Sequence, residues 1–104
     1  MKVWLSKICR VLQKPKYENS TLTWVGWDSK DNVTTCCALG ELCVRAKCKP
    51  SRISSSVIFD TLMKKYKVPR NLVNTVFGKI NHLNIAGFSK EDIARSLKKE
   101  YGRL

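Results

Sequence analysis

The sequence predicts a mainly α fold, a compact bundle of four or five short helices with one small β-hairpin, in a single domain spanning residues 1–104. Three observations carry that expectation. Apolar residues recur at helical spacing in several separate stretches. Capping and breaking residues stand between those stretches. Only the segment from Thr21 to Thr35 shows the alternation of half-buried strands. A chain of 104 residues is also long enough to bury a core without disulfide or metal staples.

Trp4, Leu5, Ile8, Val11 and Leu12 form the apolar stripe of a first helix, with Lys2, Lys7, Arg10 and Lys14 off it. Pro15 ends that helix, because the residue before a proline is pushed out of the α region. Residues 21–27 alternate, residues 28–32 read as a turn, and Val33-Thr34-Thr35 returns as a short strand. A lone hairpin is marginal in water, so this one must lean on the helices.

Thr35 is placed to cap a second helix starting at Cys36, with Cys36, Leu39, Cys43 and Ala46 on one face and Leu42 beside them. Gly40 weakens it by about 1 kcal/mol relative to Ala, which suggests that a neighbouring element comes close there. Pro50 and Ser51 close this unit. Three serines then precede a short third helix carrying Ile58, Phe59, Leu62, Met63 and Tyr66. Pro69 suits the first turn of the fourth helix, where its missing N–H costs nothing. Leu72, Val73, Val76, Phe77, Ile80 and Leu83 give that helix its face, and residues 84–88 make a turn. Ser89, with Asp92 three residues on, caps the fifth helix, whose stripe is Ile93, Leu97 and Tyr101 and whose end is Gly102.

No apolar run approaches the roughly 18 residues that span a bilayer. Lys7 and Arg10 interrupt the N-terminal apolar stretch before a signal-peptide core forms. A cytoplasmic protein beginning at Met1 is expected. Five cysteines (Cys9, Cys36, Cys37, Cys43, Cys48), an odd number with one adjacent pair, argue against a disulfide framework and for reduced, mostly buried thiols.

Charge is the strongest global feature. Twenty Lys and Arg against eight acids give +12, unevenly distributed. Residues 1–17 hold five bases and no acid, and residues 18–41 are mildly acidic. From 42 to 90 there are ten bases (Arg45, Lys47, Lys49, Arg52, Lys64, Lys65, Lys67, Arg70, Lys79 and Lys90) against Asp60 alone. A field of that sign attracts polyanions or acidic surfaces.

Three segments resemble a family of small proteins of tailed phages and prophages with no established activity. They are the Trp4 helix running to Lys16-Tyr17, then Cys36-Cys37-Ala38-Leu39-Gly40, then Leu83-Asn84-Ile85 with Ser89-Lys90 and Ile93-Ala94. The chain departs from the family pattern at Ile85, where Asp is usual, and at Lys90, where Phe is usual. The resemblance implies a phage accessory protein acting in the cytoplasm of an infected bacterium, and it favours a host-directed binder or inhibitor.

Catalytic and metal constellations are weak. No Cys-x2-Cys pair exists, and spacings of seven and five among Cys36, Cys43 and Cys48 are unlike zinc knuckles or ribbons. Cys36 or Cys37 at a helix N-terminus offers a nucleophile, but His82 is the sole histidine and nothing places it nearby. Asp28 and Asp31 sit in a turn, and Glu91 and Asp92 complement a helix dipole. A helix-turn-helix built from residues 70–83 and 90–101 would present Glu91, Asp92 and Glu100 to phosphates. The remaining basic surface is Arg45, Lys47, Lys49 and Arg52 around Pro50, with Lys64, Lys65, Lys67 and Arg70 around Pro69. Trp24 and Trp27 could stack on bases, though hairpin core is their more ordinary use.

The expectation is therefore a non-enzymatic binder, without cofactor or metal, that engages nucleic acid or a nucleic-acid-containing host complex. The alternative is a protein–protein inhibitor of a host enzyme or defence factor, docking on an acidic surface. Neither a membrane nor a small-molecule substrate is expected as a partner.

Overall fold

The computed structural model describes residues 2–102 and contains five helices and one small sheet. Helix α1 (Val3–Gln13) buries Trp4, Leu5, Ile8, Cys9 and Leu12, the expected stripe with Cys9 added and Val11 only half-buried, and stops before Pro15. Its main partner is α5 (Lys90–Tyr101), at the other end of the described chain. The Trp4 and Tyr101 rings meet edge-on with centroids 5.4 Å apart. The Cys9 thiol donates to the Ala94 carbonyl at 3.6 Å. Ser89 caps α5 as expected, its hydroxyl accepting from the Asp92 N–H at 3.1 Å.

The expected hairpin is part of a mixed three-stranded sheet. Strands β2 (Val25–Trp27) and β3 (Val33–Cys36) pair antiparallel, while β1 (Glu18–Asn19) pairs parallel to β3, giving the order β1-β3-β2. β1 is two exposed polar residues with no alternation, so periodicity does not reveal it. The central position of β3 also corrects the start of the second helix. Thr35 and Cys36 have backbone partners on both sides, so helical bonding begins only after them. Helix α2 is Ala38–Arg45, and its N-cap is Cys37, whose sulfur accepts from the Gly40 N–H at 3.3 Å.

Gly40 meets the close approach that its presence implies. A Cβ there would lie 1.8 Å from the Trp24 carbonyl oxygen, so no other residue fits without moving the β2 end of the sheet. A 3-10 turn at Pro50–Arg52 leads to α3 (Ser55–Lys64), capped by Ser54. Helix α4 runs Val73–Ile85, four residues later than Pro69 would start it. Pro69 instead opens a turn closed by the Leu72 N–H on its own carbonyl, 2.9 Å, and α4 propagates from Leu72. Its far end runs two residues into the expected turn, through Asn84 and Ile85, and closes at Gly87, φ 93°. There the Phe88 N–H returns to the Leu83 carbonyl and the Gly87 N–H to that of Asn84, a Schellman close.

Three buried polar side chains tie these pieces together. Glu41 is fully buried on α2 and accepts from Lys90 Nζ at 2.8 Å, from the Lys16 and Tyr17 backbone N–H groups at 3.0 and 3.3 Å, and from Arg45 at 3.4 Å. Lys90, 2% exposed, also donates to the Tyr17 carbonyl at 2.8 Å. Asn84 accepts from the Ala38 N–H at 2.9 Å and donates to the Ser20 carbonyl at 2.8 Å. The α1–β1 connection is thus pinned to α2 and α5, and the residue after β1 to α4, through side chains.

Candidate nucleic-acid interface

All eight basic residues singled out by the sequence are exposed. Arg45 ends α2, and Lys47 follows in the left-handed region at φ 71°. The Cys48 N–H reaches the Cys43 carbonyl at 3.0 Å, and the Lys47 N–H reaches that of Val44 at 3.1 Å, so Lys47 occupies the position where helices usually place glycine. Lys49 and Arg52 flank and end the 3-10 turn. Lys64 is the last residue of α3, Lys65 is its C-cap, and Lys67 takes φ 63°. Arg70 lies in the turn before α4. Cations at helix C-termini are favoured by the dipole, so part of this clustering has a purely structural cause.

Two of the expected clusters are not two patches in space. Arg45 and Lys65 line one cleft, of about 260 Å³, together with Lys7, Arg10, Val11, Ala46 and Tyr66. Lys64 and Lys65 border a second depression of about 490 Å³ that also holds Cys48 and Asp60. Lys49 belongs to a third, with Trp27, Asp31, Pro50 and Ser51. The Pro50 cluster is therefore split: Arg45 turns toward α1, while Lys49 sits beside the β2–β3 turn.

Among the described residues, Lys64 is paired with Asp60 at 3.1 Å and Arg45 with Glu41 at 3.4 Å; no other member of the set makes an ion pair. Lys90, which the sequence counts among the free bases, is spent inside the molecule on Glu41. Lys7 and Arg10 are the residues that reading by sequence clusters passed over. Their signal is a spacing of three on the polar side of α1, visible only once α1 is known to lie beside the ends of α2 and α3.

The two hairpin tryptophans diverge. Trp24 is half-buried and set edge-on to Phe77, with centroids 6.3 Å apart. Trp27 is 47% exposed and borders the same depression as Lys49, an arrangement open to base stacking. A further cleft of about 500 Å³ is lined by Thr21, Leu22, Thr23, Trp24, Cys37, Asn81, Asn84 and Ile85 and carries no charged side chain.

The four buried thiols are tuned away from nucleophilic work. Burial pushes Cys36 and Cys43 up to about 12 and raises Cys9 and Cys37 as well, outweighing the N–H donors that surround the Cys37 sulfur. Among the described residues, no three His, Cys, Asp or Glu side chains converge in a metal-holding group. His82 is exposed on α4. Among the described residues, no helix is long and apolar enough to cross a membrane. No family model, curated protein or solved structure matches the chain.

Proposed function

We propose that the chain is a small, non-enzymatic accessory protein of the phage type, whose basic surface binds nucleic acid or a nucleic-acid-containing host complex. The observation that carries this reading is the set of eight exposed cations on the ends of α2 and α3 and on the turns that follow them. Among the described residues only two of the eight are answered by a carboxylate. Neutralising phosphates with such cations releases condensed counterions. The phage origin is supported by the sequence resemblance alone.

The test is fluorescence anisotropy against duplex DNA, single-stranded DNA and RNA over a salt series. Log affinity is expected to fall linearly with log salt for at least one of the three. Lys64→Glu, Lys65→Glu and Lys67→Glu together are expected to abolish binding while leaving the helical circular dichroism unchanged. Unaltered affinity in that folded variant sinks the reading.

A second reading, inhibition of a host enzyme or defence factor by docking on an acidic protein surface, draws on a different observation. Leu22, 93% exposed, and Ile85, 63% exposed, flank the uncharged cleft beside α4, and apolar tips of that kind serve protein contacts better than phosphates. No binding to any nucleic acid at low salt, with retention of a host protein on the immobilised chain, would select it.

A further inference from the structure

The cleft between α1 and the ends of α2 and α3 combines features that a solvated basic face lacks. Four cations from three separate helical segments converge on it: Lys7 and Arg10 from α1, Arg45 from the last turn of α2, and Lys65 from the C-cap of α3. No carboxylate lines it. Its remaining lining is Val11, Ala46 and Tyr66, and the Tyr66 hydroxyl is turned inward, donating to the Leu42 carbonyl. The cations therefore ring an apolar floor that does not compete for their hydrogen bonds.

Arg45 is also held in place. Its Nη1 donates to the Lys14 carbonyl at 3.0 Å and to Glu41 at 3.4 Å, and Glu41 is itself anchored by Lys90. Among the described residues, Nη2 and Nε make no hydrogen bond, and the side chain keeps 32% of its surface exposed. A guanidinium braced on one nitrogen with its other donors free has lost most of its rotamer entropy before any ligand arrives. That is the condition under which a forked donor grips a tetrahedral oxyanion best.

We propose that this cleft is a phosphate-binding subsite that seats one backbone phosphodiester of a nucleic acid strand. Arg45 is the oriented donor, and Lys7, Arg10 and Lys65 supply the surrounding positive charge. The proposal rests on the nucleic-acid reading above and adds to it that α1, and not only the turns after α2 and α3, carries the strand. Arg45 is unsuited to the test because its loss also disturbs Glu41. Lys7 and Arg10 are exposed and make no ion pair among the described residues, so their neutralisation leaves the interior alone.

The experiment compares the wild-type chain, Lys7→Gln/Arg10→Gln and Lys49→Gln/Arg52→Gln by anisotropy with labelled single-stranded and duplex oligonucleotides. Inorganic phosphate is added in parallel at constant ionic strength, and thermal melts confirm the fold of each variant. The α1 variant is expected to lose on the order of tenfold or more in affinity and to lower the salt slope by about one, the share of a single neutralised phosphate. Inorganic phosphate is expected to compete with the wild type more strongly than with that variant. Equal affinity and slope for the α1 variant and the wild type overturns the subsite while leaving the nucleic-acid reading standing. No binding by the wild type to any oligonucleotide overturns both.

Discussion

Glu41 and Lys90 carry more of this structure than their number suggests. A carboxylate with no exposure is tolerated because it accepts from an ammonium, a guanidinium and two backbone N–H groups, which replaces its water shell. Removing one partner leaves the other charged and unhydrated. Lys90→Met is therefore expected to destabilise the chain by about 3–5 kcal/mol in urea titration. Adding Glu41→Gln to it should recover part of that loss, since the amide oxygen still accepts from Lys16 and Tyr17. A double variant no more stable than Lys90→Met alone would show that the unpaired Glu41 charge is not the source of the loss. Neither residue's role was legible beforehand. Lys90 looked like one more surface base. Burial of a charged side chain follows from a partner 49 residues away, which local pattern does not encode.

At the scale of elements, the helices were legible wherever a 3.6-residue stripe ended in a recognisable stop, as with Pro15 after α1 and Gly102 after α5. The boundaries that moved did so for tertiary reasons. α2 lost Cys36 to the central strand and Cys37 to its own cap, and α4 lost its first turn to the Pro69 turn. The candidate interface was half legible: charge clusters in sequence gave Arg45 and Lys65, whereas Lys7 and Arg10 join them only through helix packing. The ends of α2 and α3 also yield a prediction. Lys47 and Lys67 hold left-handed backbone that costs a side-chain-bearing residue on the order of 1 kcal/mol or more. Lys47→Gly and Lys67→Gly should each raise stability by up to about 1 kcal/mol while weakening polyanion binding. A drop in melting temperature for both would mean that their side chains contribute packing or dipole pairing that outweighs the backbone cost.

Across the whole molecule, the radius of gyration of 12.7 Å matches the roughly 13 Å of a well-packed chain of this length. The thiols are distributed through that interior: Cys9 on α1, Cys36 on β3, Cys37 at the cap of α2 and Cys43 within α2. In the unfolded chain these groups ionise near their ordinary value of 9.0, whereas burial holds Cys36 and Cys43 protonated up to about 12. Unfolding then releases protons above about pH 9, so stability is full below that value and falls as pH climbs toward 12. Urea midpoints in the presence of reductant should decline between about pH 9 and 11, and less steeply in Cys36→Ala/Cys43→Ala. Equal slopes for the two proteins would assign the alkaline loss to other groups.

The pairing of α1 with α5 has a consequence for how the molecule is made. Cys9 finds its acceptor, Ala94, only 85 residues further along the chain. At about 5–20 residues per second of synthesis, the stripe of Trp4, Leu5, Ile8 and Leu12 waits on the order of 4–17 seconds for its covering helix. During that interval the side of α1 that α5 will cover stays exposed on the nascent chain, an apolar, positively charged segment.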